Sequence, residues 1–83
     1  MAVFIIMLKK FEDEQRVIYC YGPNEDIMGQ IEYDKKNGVI HQLSPIDSEH
    51  YKDDFFFKRA GRRLARMIMN ENNNFVERTT IES

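Results

Sequence analysis

The spacing of apolar residues changes character once along this chain, between Leu43 and Tyr51, and the change separates a strand-forming part from a helix-forming part. Val3–Phe11 is β-branched and aromatic, with apolar residues at almost every position through Leu8. A strand apolar on both sides is expected at the centre of a sheet or covered on both faces. Glu12-Asp13-Glu14-Gln15 interrupts the run, and Arg16–Tyr21 follows, rich in the Val, Ile and Tyr that suit a pleated surface. Gly22-Pro23-Asn24 is expected to stop this second strand, because Pro has no N–H for a ladder and Gly and Asn accept turn geometry. Met28–Asp34 alternates, with Ile31 and Tyr33 on one side and Gln30 and Glu32 on the other. Asp34-Lys35-Lys36-Asn37-Gly38 is the strongest local signal, since Asp34 can cap a turn and Gly38 can take positive φ. Val39–Leu43 is the return strand, with Val39, His41 and Leu43 sharing a face. Four strands joined by short connections predict an antiparallel meander.

From Tyr51 to about Glu71 the chain has no Pro and one Gly, and helical spacing takes over. At 100° per residue, Phe56, Phe57, Ala60, Leu64, Met67 and Ile68 form one stripe, while Lys58, Arg59, Arg62, Arg63 and Arg66 fall on the opposite side. Asp47, Glu49, Asp53 and Asp54 suit the positive end of the helix dipole. Ser44-Pro45-Ile46-Asp47 reads as a cap with Pro at a first helical position, and so as a short turn before the main helix. Asn70 and Asn72-Asn73-Asn74 are expected to end the helix, because Asn tolerates the left-handed conformation there. Gly61 lies within the apolar stripe, either because the helix approaches the sheet closely or because a stable helix tolerates it. Phe75–Ile81 resumes alternation and is read as a fifth edge strand, as a segment docked only through Phe75, or as a frayed end. The fold class is therefore α+β: an antiparallel sheet of four to five strands with one long amphipathic helix on one face, in a single domain over residues 1–83.

Composition narrows the function. The formal charge is −2, from 12 basic and 14 acidic residues, which argues against a dedicated polyanion binder. The charge is uneven, however: residues 1–57 hold eleven acids and six bases, and residues 58–83 hold three acids and six bases. The single cysteine, Cys20, cannot form an internal disulfide, so a reducing compartment, the cytoplasm, is expected. Met1–Leu8 is too short to span a bilayer, and Lys9 and Lys10 follow the apolar run instead of preceding it, so neither a membrane segment nor a signal peptide is expected.

Chemistry-bearing residues are sparse. Cys20 sits within a strand beside Tyr19 and Tyr21 and reads as a small buried hydrophobe, and His41 as a half-buried strand histidine. His50 with Asp47, Asp53 and Asp54 could in principle hold a divalent ion, but the carboxylates are better read as favouring the helix N-terminus. No phosphate loop or paired-carboxylate motif is present, so no enzyme, catalytic residue, metal or cofactor is expected.

Two surfaces remain. Lys58, Arg59, Arg62, Arg63 and Arg66 could grip phosphates, which makes nucleic-acid binding the alternative reading. It is disfavoured by the net acidic charge and by the lack of interleaved aromatics. The leading reading comes from the sheet. One helix covers one face, yet the strands offer apolar residues on both: Phe4, Ile6 and Leu8 against Val3, Ile5 and Met7 in the first strand, and Ile18 and Cys20 against Val17, Tyr19 and Tyr21 in the second. Val17, Tyr19 and Tyr21 are assigned here to the uncovered face, since tyrosine buries area and keeps a polar tip. That face is expected to meet a second protein chain, most simply in a homo-oligomer.

The succession of Val17-Ile18-Tyr19-Cys20-Tyr21-Gly22, Gly29–Gly38, Phe55–Arg66 and Phe75-Val76-Glu77 resembles a loose group of short uncharacterised bacterial proteins built as a β-meander, one helix and a brief tail. The build is also similar to that of immunity proteins of bacterial toxin systems. That resemblance implies a non-enzymatic inhibitor, and the acidic segments Glu12-Asp13-Glu14, Glu25-Asp26 and Asp47–Asp54 would complement a basic toxin cleft.

Overall fold

Three short turns set the sheet, and each begins with a side chain that bonds its own backbone. The computed structural model describes residues 4–49 and 51–82; Val3, the expected start of the first strand, and His50 lie outside them. Strands β1 (Phe4–Glu12) and β2 (Arg16–Asn24) are joined by a turn in which Asp13 Oδ1 accepts from the N–H groups of Gln15 and Arg16, at 2.8 and 2.9 Å. Asn24 Oδ1 does the same for Asp26 and Ile27 on the way into β3 (Ile27–Asp34). Asp34 Oδ1 accepts from Lys36 and Asn37 before β4 (Val39–Ser44), and Gly38 has φ of 69° as its type predicts. The neighbours pair antiparallel, as the meander requires. β2 runs on through Gly22-Pro23 to Asn24, three residues beyond the expected stop, and its pairing with β3 is irregular between Tyr21 and Asn24. The residue without an N–H thus sits where the ladder is interrupted.

Residues 45–49, 51 and 52 form no helical turn, so Ser44-Pro45-Ile46-Asp47 does not open a helix. Ile46 is instead buried as a plug of the core. The helix α1 (Asp53–Asn70) starts at Lys52, which offers no side-chain cap, with Asp53 and Asp54 in the first turn. It ends through Asn72 and Asn73, at φ of 54° and 61°, with Asn73 N–H donating back to the Met67 carbonyl. Its buried stripe is Phe56, Ala60, Leu64 and Met67, with Phe57 and Ile68 at the margins. A Cβ at Gly61 would meet only Ile31 Cδ1, at 3.9 Å, so close helix–sheet approach does not account for this glycine.

The segment after α1 is ordered as an edge strand, β5 (Arg78–Glu82), antiparallel to β1, giving the order β4-β3-β2-β1-β5. Four contacts hold it: Phe75 is buried, Tyr19 Oη donates to the Val76 carbonyl (2.6 Å), Lys9 Nζ to that of Phe75 (3.1 Å), and Lys9 N–H to that of Glu77 (2.8 Å). The fold is thus the expected α+β arrangement, five antiparallel strands with one helix on one face. No helix among the described residues is long and apolar enough to cross a membrane.

Candidate functional site

The helix selects one face of the sheet, and that choice reverses the sequence expectation. Val17, Tyr19 and Tyr21 are fully buried with Ile5, Met7 and Ile31 in the core beneath α1. They are not on the uncovered face. The tyrosines are there because their tips find partners: Tyr19 Oη at the Val76 carbonyl, and Tyr21 Oη donating to Asp53 Oδ1 at 2.6 Å while accepting from Gln42 Nε2 at 2.9 Å. Burial is the main cause that pushes both phenols up from their ordinary range, so both remain neutral donors. Burial would raise the Asp53 carboxyl too, but bonds from Tyr21, the Ile46 N–H and Gln42 outweigh it and hold it below the usual carboxylate range.

The uncovered face carries the opposite parity. Cross-strand partners share a face, so the register reads directly. Leu8 stands between Arg78 and Cys20, Ile6 beside Thr80, Phe4 beside Glu82, and Ile18 between Phe11 and Glu32. Phe4, Ile6, Leu8, Phe11, Ile18 and Cys20 therefore form one apolar stripe along β1 and β2, and none belongs to the core. Phe4 is 55% and Phe11 47% exposed. Polar residues flank it, Arg78, Thr80 and Glu82 on β5, and Arg16, Gln30, Glu32 and His41 on the other side, where the exposed Val39 also pairs with Asp34 on this face. Each rim sets bases beside acids, with Arg16 against Glu32 at 3.4 Å. Cys20, read from sequence as buried, lies partly exposed within this stripe. A β-bulge between Lys9 and Phe11 brings Phe11 to the open side.

The remaining candidates are distributed as follows. His41 is exposed and pairs across from Glu32. The Asp53 carboxylate is spent on the core network, and Asp54 pairs with Lys58 at 3.2 Å. Among the described residues no group of three His, Cys, Asp or Glu side chains could hold a metal ion. The basic helix residues do not act as one comb. Lys58 is bound to Asp54, whereas Arg59, Arg62, Arg63 and Arg66 gather on the flank of α1 over β5 and line a groove of about 330 Å³ with Thr80, Ile81 and Glu82. Arg63 is fixed by Glu71 at 2.8 Å, and Arg59 lies over the Phe55 ring at 3.8 Å. No protein-family model, curated protein or solved structure matches this chain.

Proposed function

We propose that this chain is a non-enzymatic interaction protein that self-associates by stacking the open sheet face against a second copy. The observation that carries the reading is the apolar stripe of Phe4, Ile6, Leu8, Phe11, Ile18 and Cys20 between two polar rims, an anatomy of interfaces. A second copy is the occupant because each rim mixes both signs of charge, so two identical faces meet without concentrating one sign. Sheets stacked in this way interdigitate their side chains about 10 Å apart. In the immunity-type form of this reading the acidic segments Glu12-Asp13-Glu14, Glu25-Asp26 and Asp47–Asp54 would meet a basic toxin cleft, and the chain alone would stay monomeric.

Cys20 supplies the test. Its position inside the stripe means that face-to-face association covers the thiol. Its rate of reaction with a thiol reagent should fall as protein concentration rises through the association range. Ile18→Lys should remove that dependence, because a charge would be buried opposite its own copy. A rate independent of concentration in the native chain would contradict self-association through this face.

A further inference from the structure

The groove between α1 and β5 is a second surface, on the helix side of the strand whose Thr80 and Glu82 also rim the stripe. β5 is the outer strand of the sheet and pairs with β1 alone, so among the described residues its other edge has no ladder partner. Four arginines and one carboxylate line the groove beside that edge. Arg59 and Arg63 are held by Phe55 and Glu71, so part of the basic wall is fixed in advance. Arg62 and Arg66 are exposed and make no ion pair with a described residue. They stand one turn apart, a rise of about 6 Å along the helix. Side chains on one face of an extended strand come from alternate residues.

We infer that the outer edge of β5 takes an extended acidic peptide as a sixth strand, with Asp or Glu at alternate positions reaching Arg62 and Arg66. The peptide main chain completes the ladder, and its side chains on the helix side meet the guanidinium groups. A nucleic-acid strand would use the same charge, but it would leave the β5 main chain unused, and the groove lining holds no aromatic ring for base stacking.

The test is a fluorescence-anisotropy titration with a short labelled peptide alternating Glu with Thr and Val. Three controls accompany it: the Gln-for-Glu peptide, a Glu peptide N-methylated at alternate amides, and a thymidine oligonucleotide of equal charge. Saturable binding is expected, weakened about tenfold or more by Gln replacement, by N-methylation and by the Arg62→Ala/Arg66→Ala double variant. N-methylation leaves the protein unaltered, so its effect does not depend on any variant folding. Failure of the Glu peptide to bind at millimolar concentration would overturn the inference. So would equal affinity for the N-methylated peptide, or tighter binding of the oligonucleotide. Ile18→Lys should leave the peptide affinity unchanged, and its loss there would place the peptide on the stripe and overturn the β5 assignment.

Discussion

At Gly29 the chain has no room for a side chain. A Cβ there would come within 2.6 Å of the Ser44 carbonyl oxygen and 2.8 Å of Tyr21 Oη, and the latter is pinned by Asp53 and Gln42. Gly29→Ala should therefore destabilise by about 1–3 kcal/mol. Gly61→Ala, where only Ile31 Cδ1 is near, should stabilise by about 1 kcal/mol through helix propensity. Urea unfolding distinguishes the two signs: a stabilised Gly29→Ala would contradict the account of Gly29, and a destabilised Gly61→Ala that of Gly61. Asp53 gives a pH-dependent case. Its carboxyl is depressed in the folded state, so its contribution is complete above the ordinary carboxylate pKa of about 3.9 and is lost as pH falls through the folded value. Asp53→Ala leaves the Tyr21 hydroxyl and the Ile46 N–H without their acceptor and should lose about 1.5–3 kcal/mol at neutral pH. The difference from the native chain should shrink in acid; a constant difference would show that packing, not the charged bond, is responsible. The turn formers Asp34 and Gly38 were legible in sequence, as were Asn72 and Asn73 at the end of the helix. Asp13 and Asn24 cap their turns in the same way, while the partners of Asp53 come from β2, from β4 and from the segment before α1.

At the scale of elements, the docking of β5 depends on Tyr19. Its hydroxyl meets the Val76 carbonyl from 57 residues away in sequence, and this contact with buried Phe75 leads the chain back to the sheet edge. Tyr19→Phe should cost about 1–3 kcal/mol by leaving that carbonyl without its donor. Faster amide hydrogen exchange in Arg78–Glu82 than in β2 and β3 would be its signature, and uniform acceleration would show global destabilisation instead. Four strands and the helix could be read from periodicity because turn residues and a change of period bound them. The facing of β1 and β2 could not be read from those strands alone, since both parities are apolar. The needed signal lay in β3, whose alternation is clean: Gln30 and Glu32 mark the open side. Antiparallel register pairs Ile18 with Glu32, Cys20 with Gln30, and Tyr19 with Ile31. Carried across one hairpin, the polarity of β3 puts Tyr19 and Tyr21 under the helix, where the tyrosine tips have acceptors.

At the scale of the molecule, the layers leave an imbalance: one helix packs on one side of the five-stranded sheet, and the stripe on the other side is bordered by charge of both signs. The existence of an uncovered apolar face followed from counting layers, whereas its residues followed only from register. The arginine cluster was also legible as a basic helix face. Its concentration over β5, with Lys58 set apart on Asp54, required the final segment to be placed as an edge strand. Sedimentation equilibrium of the native chain beside Ile18→Lys tests self-association through the open face most directly. The native chain should approach twice its 9.9 kDa mass at micromolar concentrations while Ile18→Lys remains at 9.9 kDa with an unchanged circular-dichroism spectrum. A native chain that stays at 9.9 kDa throughout, or a dimer that Ile18→Lys leaves intact, would contradict it.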